Sequence, residues 1–231
     1  MSFKLILSDS FRFFRENLRQ IVTLCFPFLV AGAIINNILL SRLDTAADAS
    51  SIFLLWFALT VALYPVYTIS LILMMARRAE RERPTNAQLI ADAMRLYFPF
   101  LMLLVVAMGL VWFAGLFLIL PGIWLAVRLS FAGFFLVVNR LEPKESLIAS
   151  FQTTRGYFFQ ILATLVLFVL ASFSLAFLIG NILDAVHAGA ALNIIADATI
   201  SFLTLFLHVV LFRIFMQATH ASRQSTVDTQ A

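Results

Sequence analysis

Six apolar runs, each near the length that crosses a bilayer, constrain this chain more than any other feature it carries. A helix needs about 20 apolar residues to span the hydrocarbon core. Runs of that kind occupy residues 21–40, 52–76, 98–120, 123–138, 157–180 and 196–216. The second is long enough to tilt, and Pro65 is expected to kink it. Between Phe98 and Val138 the only charge is Arg128, so two crossings are expected there, with the turn at Pro121-Gly122. The expected fold is an all-α membrane protein. Its six transmembrane helices form three hairpins within one helical membrane domain over 1–218, and 219–231 read as a short, frayed polar tail.

Composition closes the alternatives. With 62% hydrophobic and 12% charged residues, the chain has too little polar surface to cover a water-soluble domain of 231 residues. That excludes a cytosolic, secreted or disordered protein. The formal charge of +4 does not point to nucleic acid, because the basic residues flank apolar runs and no nucleic-acid-binding module is present. Cys25 lies inside an apolar run and reads as a packing residue. The 25 phenylalanines are expected to pack against lipid and one another. Ala47-Asp48-Ala49 looks like a signal-peptide cleavage site, but the basic stretch reaching Arg19 and the long first apolar run argue for a retained span.

The charges are one-sided. Lys4, Arg12, Arg15 and Arg19 precede the first span; Arg77, Arg78, Arg81, Arg83 and Arg95 follow the second; Arg140, Lys144 and Arg155 follow the fourth; Arg223 lies in the tail. Of the opposite loops only the first carries a basic residue, Arg42. This positive-inside asymmetry predicts that both termini are cytoplasmic.

What precedes each hairpin repeats. Phe3, Leu7, Phe11, Phe14 and Leu18 recur at helical spacing beside a stripe of Lys4, Ser8, Arg12, Arg15 and Arg19. That pattern describes an amphipathic helix in the headgroup layer. Shifted by 140 positions, Ser10-Phe11, Arg15 and Gln20-Ile21 superpose on Ser150-Phe151, Arg155 and Gln160-Ile161. A third copy aligns Leu89-Ile90-Ala91-Asp92 with Leu147-Ile148-Ala149-Ser150. The expected unit is a cytoplasmic interfacial helix followed by a transmembrane hairpin, used three times in one orientation, unlike the inverted repeats of many transporters.

Leu120-Pro121-Gly122-Ile123, the span holding Arg128 and Phe131-Ala132, and the segment EPKESLIASFQTTRG from Glu142 to Gly156 together resemble a membrane signature of the YciC-type family of bacterial inner-membrane proteins. The same stretch is similar to the membrane region found beside glycerophosphoryl diester phosphodiesterase domains. The close likeness covers about residues 118–170. It implies a six-span inner-membrane protein with no assigned reaction, and it carries over no catalytic residue. No segment outside the spans is long enough to hold the phosphodiesterase domain.

Arg128 is the sharpest candidate. Placed on one uninterrupted helix, it falls near mid-bilayer, where an arginine is costly and usually faces the bundle interior. Asn36, Asn37, Tyr64, Tyr67 or carbonyls freed near Pro65 are its candidate partners. Either it is a satisfied structural residue, or with Asn36, Asn37 and His208 it forms an intramembrane polar site. Arg213 is explained by snorkelling, and Asp184 and Asp197 read as solvated helix-end charges. The expected anionic-lipid contacts are Arg12, Arg15, Arg19, Arg77, Arg78 and Arg155. The histidines lack metal-ligand spacing, and no nucleophile motif, phosphate loop or paired intramembrane carboxylate occurs. No cofactor and no enzymatic activity are expected.

Three functional readings remain open. The first is a non-enzymatic protein that binds membrane lipids, membrane-protein partners or further copies of itself in envelope organisation. The second is a small permease using Arg128 for an anionic or amphipathic solute, and the third is a lipid-active enzyme.

Overall fold

The computed structural model describes the backbone of residues 3–43, 49–185, 187 and 189–228, and the side chains of 5–39, 50–183, 185, 187 and 189–220. Ala47 and Asp48 of the cleavage-like motif lie outside these residues, as do the side chains of Lys4, Arg42, Asp184 and Arg223. The elements are α1 (Phe3–Leu43), α2 (Ala49–Ala79), α3 (Asn86–Phe117), α4 (Ile119–Leu129), α5 (Ala132–Asn139), α6 (Pro143–Thr153), a 3-10 turn (Thr154–Tyr157), α7 (Phe158–Ala185) and α8 (Ala190–Asp228). Six stretches are helical, long and apolar enough to cross a membrane. The chain is an all-helical, multi-pass membrane protein.

The entrances differ from the expected separate helices. The first is simply the front half of α1, whose 41 residues extend about 60 Å, twice the hydrocarbon thickness. No Gly or Pro interrupts α1 before Pro27, so nothing stops the amphipathic half from continuing into the apolar half. The second entrance likewise runs into α3, which a Thr85–Gln88 capping box starts. Only the third is set apart, as α6. There two threonines and Gly156 weaken helix propensity and the chain tightens into the 3-10 turn. At the other terminus α8 stays helical through Asp228, into the segment expected to fray.

Pro121-Gly122 is not the turn. The chain breaks instead at Leu118, whose extended backbone (φ −159°, ψ 139°) separates α3 from α4. Pro121 sits in the first turn of α4, where its missing N–H removes no intrahelical bond. Gly122 is buried against α3. A Cβ there would lie 3.0 Å from the Gly115 Cα and 3.4 Å from the Val111 carbonyl oxygen. The glycine is therefore required for close backbone approach, as in other membrane helix pairs.

The fourth span is not one helix either. α4 ends at Leu129 and α5 begins at Ala132, with Ser130 and Phe131 between them. α5 is enclosed: Phe134, Phe135, Leu136 and Val137 are all buried. Around it α1, α2, α3, α4, α7 and α8 pack in a closed sequence, each against the next, with α1 against α8 completing it. Phe215 of α8 joins Phe131, Phe134 and Phe135 in an aromatic cluster with ring centroids 5.7, 5.4 and 5.0 Å away. Other phenylalanines, such as Phe98 and Phe159, stand exposed on the outer surface.

The aligned positions of the first and third repeat copies are buried alike, since Ser10, Ile21, Ser150 and Ile161 are all 0% exposed. α2 closes with Arg81 in the left-handed region (φ 65°), its N–H bonded to the Arg78 carbonyl and the Glu82 N–H to the Arg77 carbonyl. Glycine is the residue this geometry favours. Arg81→Gly is therefore expected to raise stability by about 0.5 kcal/mol, the left-handed penalty being only partly offset by the freer unfolded chain. Thermal unfolding in detergent checks it.

Candidate functional site

The sequence places Arg128, Asn36, Asn37 and His208 in one candidate site; the structure separates them into three.

Arg128 belongs to the α4–α5 break. Its Nη1 donates to the Phe151 carbonyl at 3.0 Å, and its guanidinium carbon lies 4.9 Å from the Phe151 ring centre and 5.3 Å from that of Trp124. The two rings meet edge-on at 5.4 Å. Cation–π contacts of this kind are worth roughly 0.5–2 kcal/mol each, depending on desolvation. The depth assigned from the sequence assumed an unbroken helix, and the break at Ser130–Phe131 removes that assumption. α6 then supplies the partners that Asn36, Asn37, Tyr64 and Tyr67 were expected to provide.

The break itself is satisfied from α6. The Ser150 hydroxyl donates to the Arg128 carbonyl at 2.8 Å and accepts from the Phe131 N–H at 3.1 Å. The Thr154 hydroxyl lies 2.8 Å from the Ser150 carbonyl and 3.3 Å from the Arg128 carbonyl. Ser150 and Thr154 are both fully buried. Irregular buried backbone persists where protein groups complete its hydrogen bonds, and here the Ser150 hydroxyl of α6 does so, with Thr154 of the adjoining turn beside it. Ser150 was visible in the sequence only as a repeat position; its capping role follows from the break, which local pattern did not reveal.

Asn36 lies at the end of the bundle opposite the arginine-rich loops. Its Nδ2 donates to Asp197 Oδ2 at 2.8 Å, and its Oδ1 accepts from the Trp56 indole N–H at 2.9 Å. Asp197 is therefore a half-buried, hydrogen-bonded carboxylate rather than a solvated helix-end charge. The three side chains border a cavity of about 290 Å³ between α1, α2 and α8. Asn37 is half-buried at the neighbouring position.

His208 pairs with Tyr64. Its Nδ1 faces the Thr204 carbonyl at 3.2 Å and its Nε2 faces the Tyr64 hydroxyl at 3.1 Å. A carbonyl only accepts, so Nδ1 carries a proton, and in the neutral ring the tyrosine then donates to Nε2. Among the described residues no group of three potential metal ligands forms.

At the arginine-rich end, hereafter the basic end, the expected lipid-contacting arginines divide. Arg77 pairs with Asp92, and Arg78 donates to Gln20 Oε1 at 2.6 Å. Gln20 in turn donates to the Pro84 carbonyl at 3.0 Å, so these residues tie α1, α2 and α3 together. Arg12 keeps a loose exposed contact with Asp9 at 3.3 Å, its own side chain 73% exposed. Arg15, Arg19 and Arg155 are exposed, without an ion pair among the described residues.

No family model, curated protein or solved structure matches this chain. Its functional reading rests on this geometry and on the sequence pattern.

Also at the basic end, α1, α2, α8 and the 3-10 turn enclose a cavity of about 740 Å³. Arg78, Arg213, His220 and Tyr157 face it, with Asp9 its one lining carboxylate among the described residues. Sequence reasoning treated Arg213 as a snorkelling residue. Its guanidinium carbon lies 5.3 Å from the centre of the Phe13 ring, on the cavity wall at the basic end.

Proposed function

We propose that this is a non-enzymatic bacterial inner-membrane protein, both termini cytoplasmic, that binds anionic lipid at its basic end and serves envelope organisation through lipid or protein partners. The observation that carries this reading is the set of exposed arginines, Arg12, Arg15, Arg19 and Arg155, interleaved with exposed apolar side chains such as Phe11 and Phe159. Guanidinium groups beside lipid-facing rings sit where phosphate headgroups lie. The sequence resemblance to YciC-type membrane proteins supports the same location.

Each basic residue close to an anionic surface contributes on the order of 1 kcal/mol, about fivefold in partition. Arg15→Gln, Arg19→Gln and Arg155→Gln combined are expected to lower, by at least several-fold, the enrichment of phosphatidylglycerol over zwitterionic lipid in the purified protein. Mass spectrometry of the extracted lipids measures this. Unchanged enrichment refutes the lipid-binding role, and a reporter fused after Ala231 that proves periplasmic refutes the orientation.

A permease is the second reading, favoured by one observation. Cavities of about 740 and 290 Å³ lie at opposite ends of the α1–α2–α8 seam, with His208 between their lining positions on α8. That reading requires proteoliposomes to accumulate an anionic solute, and it uses this seam rather than Arg128.

A further inference from the structure

The cavity at the basic end has walls of two kinds. Ile6, Phe13, Met75, Val209, Phe212 and Met216 make one part apolar. The other part carries Arg78, Arg213 and His220, and Asp9, the only lining carboxylate among the described residues, already contacts Arg12. Its charge balance is therefore cationic. Each guanidinium has five N–H donors. Arg78 uses one Nη2 donor on Gln20, while its buried Nε has no partner. Arg213 rests on the Phe13 face, an orientation that holds the guanidinium plane without consuming its donors. At about 740 Å³ the space is that of a ligand site rather than a packing defect.

We propose that this cavity is a specific site for one anionic amphiphile, a phospholipid whose phosphate lies between Arg78 and Arg213 and whose first acyl segment covers the apolar wall. The proposal rests on the lipid-binding reading above but names an internal, saturable site in place of a diffuse surface. A free phosphate would satisfy the arginines and leave the apolar wall wet. A zwitterionic lipid would bring an ammonium group toward the same two cations.

Delipidated protein in mild detergent, titrated with dioleoyl phosphatidylglycerol, dioleoyl phosphatidylcholine or glycerol 3-phosphate, tests this by native mass spectrometry. The expected result is one saturable phosphatidylglycerol adduct, formed before weaker ones and at least tenfold tighter than its phosphatidylcholine counterpart. Arg213→Gln is expected to weaken that adduct about tenfold or more, the scale of one charge-assisted hydrogen bond, and Arg213→Lys to restore part of it. Val209→Trp, which fills the apolar part, is expected to remove the first adduct while the later ones remain. Circular dichroism and gel filtration confirm that each variant is folded.

An anionic preference that survives both Arg213→Gln and Val209→Trp overturns the cavity site and leaves the surface reading standing. Absence of anionic preference in every adduct overturns both. Displacement of the first adduct by glycerol 3-phosphate at comparable concentration overturns the lipid assignment in favour of a soluble phosphomonoester.

Discussion

Removing the Ser150 hydroxyl is expected to destabilise the protein by about 2–4 kcal/mol, because one atom serves two backbone groups at once. The Arg128 carbonyl and the Phe131 N–H lie on either side of the α4–α5 break, and Ser150 Oγ bridges them at 2.8 and 3.1 Å. An unsatisfied buried polar group costs about 1–3 kcal/mol, and Phe131, Ser150 and Thr154 are all shut away from solvent. Thr154, 3.3 Å from the same carbonyl, limits the loss on that side, while the Phe131 N–H is bonded to Ser150. Ser150→Ala should therefore lower the midpoint of unfolding in mixed micelles, while Ser174→Ala, at an exposed site, stays within about 0.5 kcal/mol. Equal behaviour of the two variants would mean that the break is held by something other than the Ser150 hydroxyl.

Gly122→Val carries the next largest expectation, a loss of about 2–3 kcal/mol. The added Cβ meets the Gly115 Cα at 3.0 Å, and two further methyls must fit where two backbones already touch. Neither partner is a side chain that can rotate away, so α4 must move off α3, with overpacking costs of roughly 1–3 kcal/mol. Gly109 provides the control. It too is a helical glycine, in α3 rather than α4, but a Cβ there meets nothing within 4 Å. Gly109→Ala is then expected to be neutral or to gain up to about 1 kcal/mol from helix propensity. Opposite signs for the two glycines, read from the same unfolding assay, distinguish close packing from propensity; matching signs would refute the role assigned to Gly122.

These two positions also show where sequence reasoning stops. Pro-Gly is a strong turn signal when only local preference is considered, and it led to a turn at Pro121-Gly122. Tertiary packing used the proline as a helix opener and the glycine as a contact, and placed the break three residues earlier at Leu118. Arg128 illustrates the same limit. Its depth was read from helical rise along a span assumed continuous, and hydropathy carries no signal for an interruption that another helix satisfies. Asp197 looked like a solvated terminal charge because its partner, Asn36, is 161 residues away in the chain.

The sequence by itself determined the membrane class, the six apolar segments and the concentration of charge beside some of them and not others. Each of these depends on the composition of one segment and its exchange between lipid and water, which neighbours in space do not alter. Tertiary structure alone decided that the fourth span is broken, that Arg128 serves the α4–α6 seam, that Tyr64 meets His208, and that Arg78 and Arg213 face one cavity. Lipid tails are as apolar as the side chains they touch, so hydrophobicity cannot choose among ways of packing these helices. The choice falls to close backbone approach and to hydrogen bonds between distant residues, neither of which is written in a local pattern.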